Sequence, residues 1–397
     1  MMKIMSVNTG SSSLKFQILN MPEEEVLCSG LIERIGHDNA LFKIRSKNQT
    51  QQQVLSILNH KHAVELLLKT LIENKIISAI TEIKGVGHRV VQGGEIFNNS
   101  VILTDENIMQ IEALGILAPL HNPVNVVGIK LFKNFFPEAL HVGVFDTSFH
   151  QTVPQKNFLY AVPYEWYIKH KIRKYGFHGT SCRFVVQKVH QMFQQKDLKL
   201  IICHIGNGVS ITAVDVNGCS VANSMGITPI SGVPMGTRSG DIDPVIISFI
   251  AEKEKKTAQE VINDLIHKSG LLGISGISND CRDLEAMIKQ NNERALLAFE
   301  VQISRIVDYI ASYYFLLKGV DCLIFTAGVG ENSSFVRREV LKSLKFLHIY
   351  IDTEINETSS TQERIISTPD SSVKVLVVPT NEEIVIARDV FSFIVSK

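Results

Sequence analysis

The sequence predicts an α/β protein with two domains. Apolar runs of strand length alternate with segments of helical spacing, which is typical of mixed sheets covered by helices. The chain has 397 residues, more than a single hydrophobic core usually supports. The predicted strands are Ile4–Val7, Leu14–Leu19, Gly85–Val91, His141–Phe145, Leu200–His204, Ile211–Val216, Leu323–Thr326 and Val373–Val378. The clearest predicted helices are Asp105–Leu117, with Thr104 as its N-cap, and Leu296–Leu317.

Two stretches of the chain share one pattern and suggest a duplication. Val7–Ser13 leads from one apolar strand into a second through a turn of glycine, serine and asparagine. Cys203–Val209 does the same between two later strands. Such turns suit phosphate, so a duplicated domain with two phosphate-facing hairpins and a cleft between them is one interpretation. A strand–turn–strand unit is common, and the pattern alone leaves this open.

Composition excludes several classes of partner. Lysine plus arginine (40) equals aspartate plus glutamate (40), so no net charge attracts nucleic acid or an anionic membrane. No apolar run approaches the roughly 18–20 residues that span a bilayer, and the start of the chain has no signal-peptide pattern. The six cysteines are scattered without a Cys-x-x-Cys pair, which indicates reduced thiols. We therefore expect a cytoplasmic protein. Polar segments at Ser46–Gln53 and Glu354–Arg364 are predicted to be surface loops.

Two glycine-rich segments are the main candidates for chemistry. In Met235–Pro244, two glycines flank Thr-Arg-Ser and two acids follow. Glycine permits close backbone approach, and the fork of Arg238 matches a phosphate group. The alternative is a solvated turn with a surface arginine. In Arg173–Ser181, His178 stands before a glycine where its imidazole could reach an open cleft. Since the chain has 13 histidines, an ordinary surface or core histidine is the competing interpretation.

Five further segments place polar groups at the ends of predicted elements. They are Gly87–Gly94, Leu117–Pro123, Val144–His150, Thr326–Ser333 and Pro379–Glu383. Asp146 ends an apolar strand, the position where open α/β sheets bind ligands. The amides of the glycine-rich turn after Thr326 could hold a phosphate or nucleoside, and the glutamates near the C terminus suit a hard metal.

Known nucleotide motifs are absent from the sequence. Gly328-Val329-Gly330 lacks the third glycine of a dinucleotide fingerprint, and no Gly-x-x-x-x-Gly-Lys-Ser/Thr segment occurs. A metallohydrolase built on His121, Asp146, His178 and His204 lacks His-x-x-x-His spacing. The residues therefore indicate a phosphoryl-transfer site without a Walker motif.

Nine runs in this order resemble the acetate kinase family: Asn8–Lys15, His88–Gly94, Leu117–Pro123, Phe145–Gln151, Lys174–Ser181, His204–Gly208, Met235–Pro244, Gly328–Ser333 and Thr380–Asp389. That family lies in the actin, Hsp70 and sugar-kinase superfamily. The resemblance implies two duplicated ribonuclease-H-like domains with an interdomain cleft. The implied N-terminal domain is 1–148 plus a returning helix at 384–397, and the implied nucleotide-binding domain is 149–383.

The resemblance also implies an activity. It is the reversible, Mg²⁺-dependent transfer of the ATP γ-phosphoryl to acetate, giving acetyl phosphate and ADP by direct in-line displacement. Mn²⁺ is an alternative metal, and a homodimer is expected. The small-molecule partners are acetate and ATP. A propionate kinase on the same scaffold, or a non-kinase protein gated by nucleotide in the manner of actin and Hsp70, remains an alternative.

Site residues follow from the same resemblance by position. The catalytic set is Asp146, His178 and Arg238. The substrate set is Arg89 for the carboxylate and Val91, Leu120, Phe177 and Pro229 for the methyl group. The nucleotide set is Lys15, His204, Ile205, Gly206, Asn207, Gly208, Asp280, Cys281, Arg282, Gly328, Val329, Gly330, Glu331 and Asn332. The metal set is Asn8 and Glu382.

Five positions depart from the family pattern: Gln92, Cys182, Asn223, Ser231 and Pro234. Histidine is usual at the first two positions and threonine at the third. None of them replaces a matched catalytic residue, so the departures bear on acyl-chain preference and kinetic efficiency more than on activity.

Overall fold

The computed structural model describes residues 1–47 and 49–396. The chain divides into two compact units: Met1–Phe149 together with the segment from Asn381 onward, and His150–Thr380. The domain boundaries expected from the sequence, after residues 148 and 383, stay a prediction for the functional domains.

The strands and helices of the described residues are as follows. The strands are β1 (Met2–Thr9), β2 (Ser13–Met21), β3 (Glu25–Glu33), β4 (Ala40–Ser46), β5 (Thr50–Leu55), β6 (Ile83–Val90), β7 (Val101–Ile102), β8 (Leu140–Phe145), β9 (Leu200–Ile205), β10 (Val209–Val214), β11 (Ser220–Asn223), β12 (Cys322–Thr326), β13 (Arg364–Ile365) and β14 (Lys374–Val377). The helices are α1 (His60–Glu73), α2 (Asp105–Ala113), α3 (Asn122–Phe135), α4 (Gln155–Phe158), α5 (Tyr164–His170), α6 (Gly179–Phe193), α7 (Val245–Glu254), α8 (Ala258–His267), α9 (Gly270–Ser275), α10 (Cys281–Ile288), α11 (Glu293–Leu317), α12 (Ala327–Asn332), α13 (Ser334–Lys342), α14 (Thr353–Glu357) and α15 (Glu382–Val395).

Both units contain the same arrangement of five strands. The first sheet runs β5-β4-β3-β2-β1-β6-β8-β7 and the second runs β11-β10-β9-β12-β14-β13. In the first, the β1–β2 hairpin is antiparallel, and β1, β6 and β8 are parallel. In the second, the β9–β10 hairpin is antiparallel, and β9, β12 and β14 are parallel. The duplication suggested by the two hairpin sequences is therefore confirmed, and the hairpins occupy equivalent places.

The C-terminal helix α15 packs on the first sheet because two glycines allow it to come close. A Cβ atom on Gly85 would lie 2.3 Å from Val390, and one on Gly87 would lie 2.2 Å from Ile386. Any larger residue on this face of β6 would push the helix away. This packing places the first turn of α15 in the same unit as the carboxyl ends of β1, β6 and β8.

Several sequence-based expectations change in detail. Ser46–Gln53 is not a loop: part of it forms β5, whose polar residues suit an exposed sheet edge, while Asn48 lies outside the described residues. Part of Glu354–Arg364 is helical, in α14. The glycine-rich turn after β12 is itself a short helix, α12. Thr104 is confirmed as the N-cap of α2, where its side chain accepts a hydrogen bond from the Asn107 N–H.

Among residues 1–47 and 49–396, no helix combines the length and apolar character needed to cross a membrane. Each of the six cysteines is a thiol rather than half of a disulfide.

Two buried histidines link β6 to β8. His88 and His141 are 2% and 5% exposed, and the His88 Nε2 lies 3.0 Å from the His141 Nδ1. One ring must donate and the other accept, so the contact needs a neutral acceptor nitrogen. Burial lowers the pKa of both histidines, and the charge of Lys133 lowers each further.

Stability of the first unit should therefore fall as the solution becomes acidic. Since the folded pKa values lie below the unfolded value of about 6.5, the unfolded chain binds protons first, and stability is lost as pH falls below that value. We expect a lower free energy of unfolding at pH 5 than at pH 7 in urea titrations. His141→Asn should flatten this dependence, whereas His37→Asn, at an exposed histidine, should not. An unchanged slope in His141→Asn would contradict the assignment.

Candidate active site

An arginine and an aspartate meet at the carboxyl ends of two parallel strands in the first unit. Arg89 stands near the end of β6, and Asp146 directly follows β8. The Arg89 Nε donates to Asp146 Oδ1 at 3.0 Å, and Nη2 bonds the other carboxylate oxygen. Asp146 is only 1% exposed, so the pair is a bidentate contact with a buried carboxylate. Such a contact fixes the direction of the guanidinium plane.

Glu382 and Glu383, in the first turn of α15, add negative charge beside this pair. The Glu382 Oε2 lies 3.6 Å from the Arg89 Nε, and Glu383 forms an ion pair with Lys15. Burial alone would lower the pKa of Arg89, but the charges of Asp146 and Glu382 outweigh it and raise the pKa above its ordinary value. Arg89 is therefore a permanent cation that several carboxylates surround.

Asn8 lies near the end of β1, whose neighbours in the sheet are β2 and β6. Helix α15, which begins with Glu382, packs on the same strands. No cluster of three or more histidine, cysteine, aspartate or glutamate side chains suited to a metal occurs in the described part of the chain. An amide oxygen and one carboxylate still fit Mg²⁺, which prefers oxygen ligands and usually keeps several waters.

Buried asparagines of α3 hold the loop that follows Arg89. The Asn125 Oδ1 accepts from the Val91 N–H at 3.2 Å, and the Asn122 Oδ1 accepts from the Gln92 N–H at 3.1 Å. Val91 is thereby fixed and buried. Leu120, from the loop before α3, is 54% exposed, and whether it borders a methyl pocket stays a prediction.

In the second unit, His178 precedes α6 in a left-handed backbone conformation, with φ of 58°. This conformation is uncommon for a residue other than glycine and must be held by its surroundings. The His178 Nδ1 lies 2.9 Å from the Ser210 hydroxyl. Its ring stacks on His204, with centroids 3.9 Å apart. The Nε2 edge is thereby aimed in a defined direction.

The residue before His178 is anchored through its carbonyl oxygen. The Phe177 carbonyl accepts from Asn223 Nδ2 at 3.3 Å and lies 2.8 Å from the His150 Nε2. Burial lowers the pKa of His150 to about 4, with the hydrogen bond to Phe177 opposing the shift in part. Asn223 also bonds Thr212, which contacts Cys182 at 3.4 Å. Two departures from the family pattern, Asn223 and Cys182, therefore share one partner beneath the site.

Arg238 and His178 flank the same glycine. A Cβ atom on Gly208 would lie 3.2 Å from His178 Nε2 and 3.8 Å from Arg238 Nη1. Arg238 Nη1 donates to the carbonyl oxygen of Pro229 at 3.1 Å. The structure thus brings together the two side chains that, by the family resemblance, act as a pair.

A cavity of about 690 Å³ opens beside this group within the second unit. Of the predicted nucleotide residues, Gly206, Asn207, Asp280, Cys281, Arg282, Gly328, Val329 and Asn332 line it. Gly236, Leu271, Asn279, Glu285 and Ser333 also line it and were not predicted. His204, Ile205, Gly208, Gly330 and Glu331 lie outside the lining, and Lys15 belongs to the other unit. Burial raises the pKa of the Cys281 thiol to about 12, so this cysteine is not a thiolate nucleophile at neutral pH.

The sequence did not reveal the buried residues that hold the site residues in place. His150 and Ser210 hold the His178 segment, and Asn125 holds the Arg89 loop. Asn122 and Asn125 lie about one helical turn apart on the apolar face of a predictable helix, and this spacing could have indicated that they hold a neighbouring backbone segment. No comparable signal marks Ser210, which lies in a buried strand.

A glycine-lined cavity near Arg238, on a duplicated α/β fold without a Walker loop, is typical of a phosphotransferase that uses a nucleotide. The comparisons with known proteins give the particular family. A family model described as the acetokinase family matches residues 3–388, and the chain belongs to that family.

Similar proteins cover nearly the whole chain. The acetate kinase of Chlorante-Aster yellows phytoplasma is 59% identical over 389 residues, which are 98% of this chain and 94% of that protein. The acetate kinase of Acholeplasma laidlawii is 52% identical over 390 residues and 98% of each chain. Among solved structures, the Porphyromonas gingivalis acetate kinase has a TM-score of 0.93 at 41% identity, over 99% of this chain and 100% of that one. A propionate kinase from Francisella tularensis also has a TM-score of 0.93, at 39% identity over 98% and 99% of the chains. The predicted family and fold class are confirmed.

Removing Arg89 should destabilise the first unit strongly. In Arg89→Met the buried Asp146 carboxylate loses its bidentate contact with the guanidinium, and breaking a buried pair costs about 3–5 kcal/mol. Urea unfolding would measure this loss. Adding Asp146→Asn should restore part of the stability, because a neutral amide does not need the lost cation.

Lys15→Met is the matched control. The Lys15 side chain is 56% exposed, so its ion pair with Glu383 is partly solvated and should contribute about 1 kcal/mol or less. Equal losses from Arg89→Met and Lys15→Met, or strict additivity of the Arg89 and Asp146 changes, would contradict a buried, coupled pair.

Proposed function

We propose that this chain transfers the γ-phosphoryl group of ATP to the carboxylate of acetate, forming acetyl phosphate and ADP, and catalyses the reverse reaction. Membership of a family that uses ATP supports the nucleotide, and relatives named acetate kinase support the acceptor. The observation that carries the proposal is the Arg89 guanidinium, which Asp146 holds in one direction.

Arg89 is suited to a small carboxylate substrate. Asp146 and Glu382 engage its Nε and Nη2 edge. Among residues 1–47 and 49–396, Nη1 has no hydrogen-bond partner, so that part of the fork is available to a substrate oxygen. The methyl group is proposed to contact Val91, Leu120, Phe177 and Pro229. The side chain of Arg89 is about one-fifth exposed, which leaves room for a ligand to reach it.

The chemistry needs no general base. A substrate carboxylate has a pKa of roughly 4–5 and is already a nucleophilic anion at neutral pH. Its oxygen attacks the γ-phosphorus while the bond to the β-phosphate oxygen breaks, and ADP leaves with that electron pair. The obstacle is repulsion between two anions, so catalysis consists mainly of positioning and charge neutralisation. Asp146 therefore acts on Arg89 rather than on a proton.

His178 and Arg238 are proposed to stabilise the transferring group. Both side chains flank Gly208 and could donate to the equatorial oxygens of the phosphoryl group in the transition state. Removing one preorganised donor of this kind typically costs about 2.7–4 kcal/mol of transition-state stabilisation. Ser210 and His204 keep the His178 ring in place for this role.

Mg²⁺, or Mn²⁺ as an alternative, is proposed to be held through the oxygen atoms of Asn8 and Glu382. When bound, it neutralises charge on the β- and γ-phosphates. The nucleotide itself is proposed to occupy the cavity of the second unit, with Lys15, His204 and the segments Ile205–Gly208, Asp280–Arg282 and Gly328–Asn332 contributing. Active-site closure that excludes water would limit wasteful ATP hydrolysis.

A homodimer acting in the cytoplasm completes the proposal. The thiol state of all six cysteines agrees with a reducing compartment. Propionate is the second candidate substrate, favoured by the structural likeness to a propionate kinase and by the departures at Gln92 and Pro234.

Acyl-chain preference tests the proposal directly. Trapping the acyl phosphate with hydroxylamine gives kcat/KM for acetate, propionate and butyrate. Since one methylene is worth about 1–3 kcal/mol in a pocket, propionate should be roughly 10- to 200-fold poorer than acetate. Val91→Ala should narrow this ratio, whereas Val127→Ala, on the exposed face of α3, should not.

Two results would contradict the proposal. Preference for butyrate would overturn the acetate assignment. ATP hydrolysis without any trapped acyl phosphate would favour a nucleotide-gated protein of the actin type.

A further inference from the structure

Arg337, on α13, is a buried cation at the back of the cavity wall. Its side chain is 1% exposed, although the neighbouring Arg338 is partly exposed and forms ion pairs with Glu339 and Glu357. No carboxylate lies within ion-pair distance of Arg337 among residues 1–47 and 49–396. A buried charge without such a partner is costly unless hydrogen bonds satisfy it. The hydrogen bonds of the guanidinium must therefore compensate its charge.

Those contacts join two elements of the second unit. Nη1 donates to the carbonyl oxygens of Gly330 and Glu331, both at 2.9 Å. Nε donates to Asn356 Oδ1 and Nη2 to the Asn356 carbonyl oxygen, both at 2.7 Å. Every guanidinium nitrogen thus has an acceptor, and the charge faces carbonyl oxygens.

The acceptors on α12 are carbonyls that the helix itself cannot satisfy. Helix α12 has six residues, and its final carbonyls have no following turn to bond. A cation at a helix C terminus also interacts favourably with the aligned peptide dipoles. Arg337 therefore fixes the end of a helix that is too short to be stable alone.

The opposite side of α12 faces the cavity. Gly328, Val329 and Asn332 line it, and a Cβ atom on Gly328 would meet nothing within 4 Å. A second restraint acts through Glu331, whose Oε1 accepts from the Thr380 N–H at 3.0 Å. The helix is held from behind at its backbone and at one side chain, while its glycine side stays open.

We infer that Arg337 is a positioning residue for the nucleotide: it holds α12 at a fixed depth so that Gly328 and Val329 meet the ligand without rearrangement. The inference rests on the proposed nucleotide site and adds a residue that does not touch the ligand. Lysine cannot replace this arginine fully, because one ammonium cannot reach both α12 and Asn356 as a planar fork does. Burial, with a smaller effect of the Arg364 charge, lowers the pKa of Arg337 to about 10, which still leaves it charged at neutral pH.

Calorimetric titration with ADP, in the presence of Mg²⁺, tests this role in the full-length protein. R337K should raise the Kd for ADP by about tenfold, since small displacements of a binding element are costly, while the KM for acetate stays as in the wild type. The matched control is R338K on the same helix, which should change the Kd less than about twofold. V340A removes buried packing from α13 without touching the fork, and it should lower thermal stability but leave the Kd unchanged.

Asn356→Ala gives a second test with the arginine retained. It removes the Nε acceptor and should raise the Kd for ADP by a smaller factor than R337K. A wild-type Kd in folded R337K or in Asn356→Ala would overturn the inference, as would an equal loss of affinity in V340A. If the wild-type protein itself fails to bind ADP, the proposed function falls together with this inference. If wild type and R337K bind ADP with the same Kd, this inference is wrong and the proposed function is unaffected.

Discussion

The bidentate contact between Arg89 and Asp146 joins the carboxyl ends of β6 and β8, and much of the first unit is arranged around it. A buried carboxylate needs a cation, and the cation needs a fixed direction. The glycines of β6 bring α15 close, which adds Glu382 to the same cation. The asparagines of α3 fix the loop that follows. This ion pair therefore fixes the position of the Arg89 guanidinium at the carboxyl ends of the parallel strands.

In the second unit, the His178 side chain is held in place mainly by neutral groups. His178 depends on the Ser210 hydroxyl and on a carbonyl held by Asn223, neither of which carries a charge, and its ring stacks on that of His204. Neutral donors and acceptors would suit the polyanionic nucleotide proposed to bind there, because a nearby carboxylate would repel it. Buried networks of this kind specify one geometry only when every member is satisfied. Arg337 is likewise surrounded by neutral groups: carbonyl oxygens accept hydrogen bonds from its buried guanidinium and compensate the charge.

Strand periodicity and glycine-rich turns are local signals, so the sequence predicted the α/β class and suggested the duplication. The pairing of His178 with Arg238 followed only from the family resemblance. It missed β5, whose polar residues look like a loop until a neighbouring strand is known. It also missed Arg337: beside Arg338 it looks like part of a solvated helix face, and its burial depends on where Asn356 and α12 lie. Local sequence patterns do not reveal contacts between residues that are distant in the chain, and such contacts orient the side chains of the site.

The central claim is that Asp146 acts by holding Arg89 for a substrate that is already an anion. The most direct measurement is kcat/KM for acetate in Asp146→Asn, at saturating ATP and Mg²⁺, across pH 6 to 9. Misplacing a substrate-binding group by about 1 Å can cost 100-fold, so we expect a fall of about that size with little change in KM for ATP. Glu112→Gln, at an exposed ion pair of the same unit, is the control and should behave as wild type. Wild-type kcat/KM in Asp146→Asn, or a loss that rising pH restores, would contradict the account.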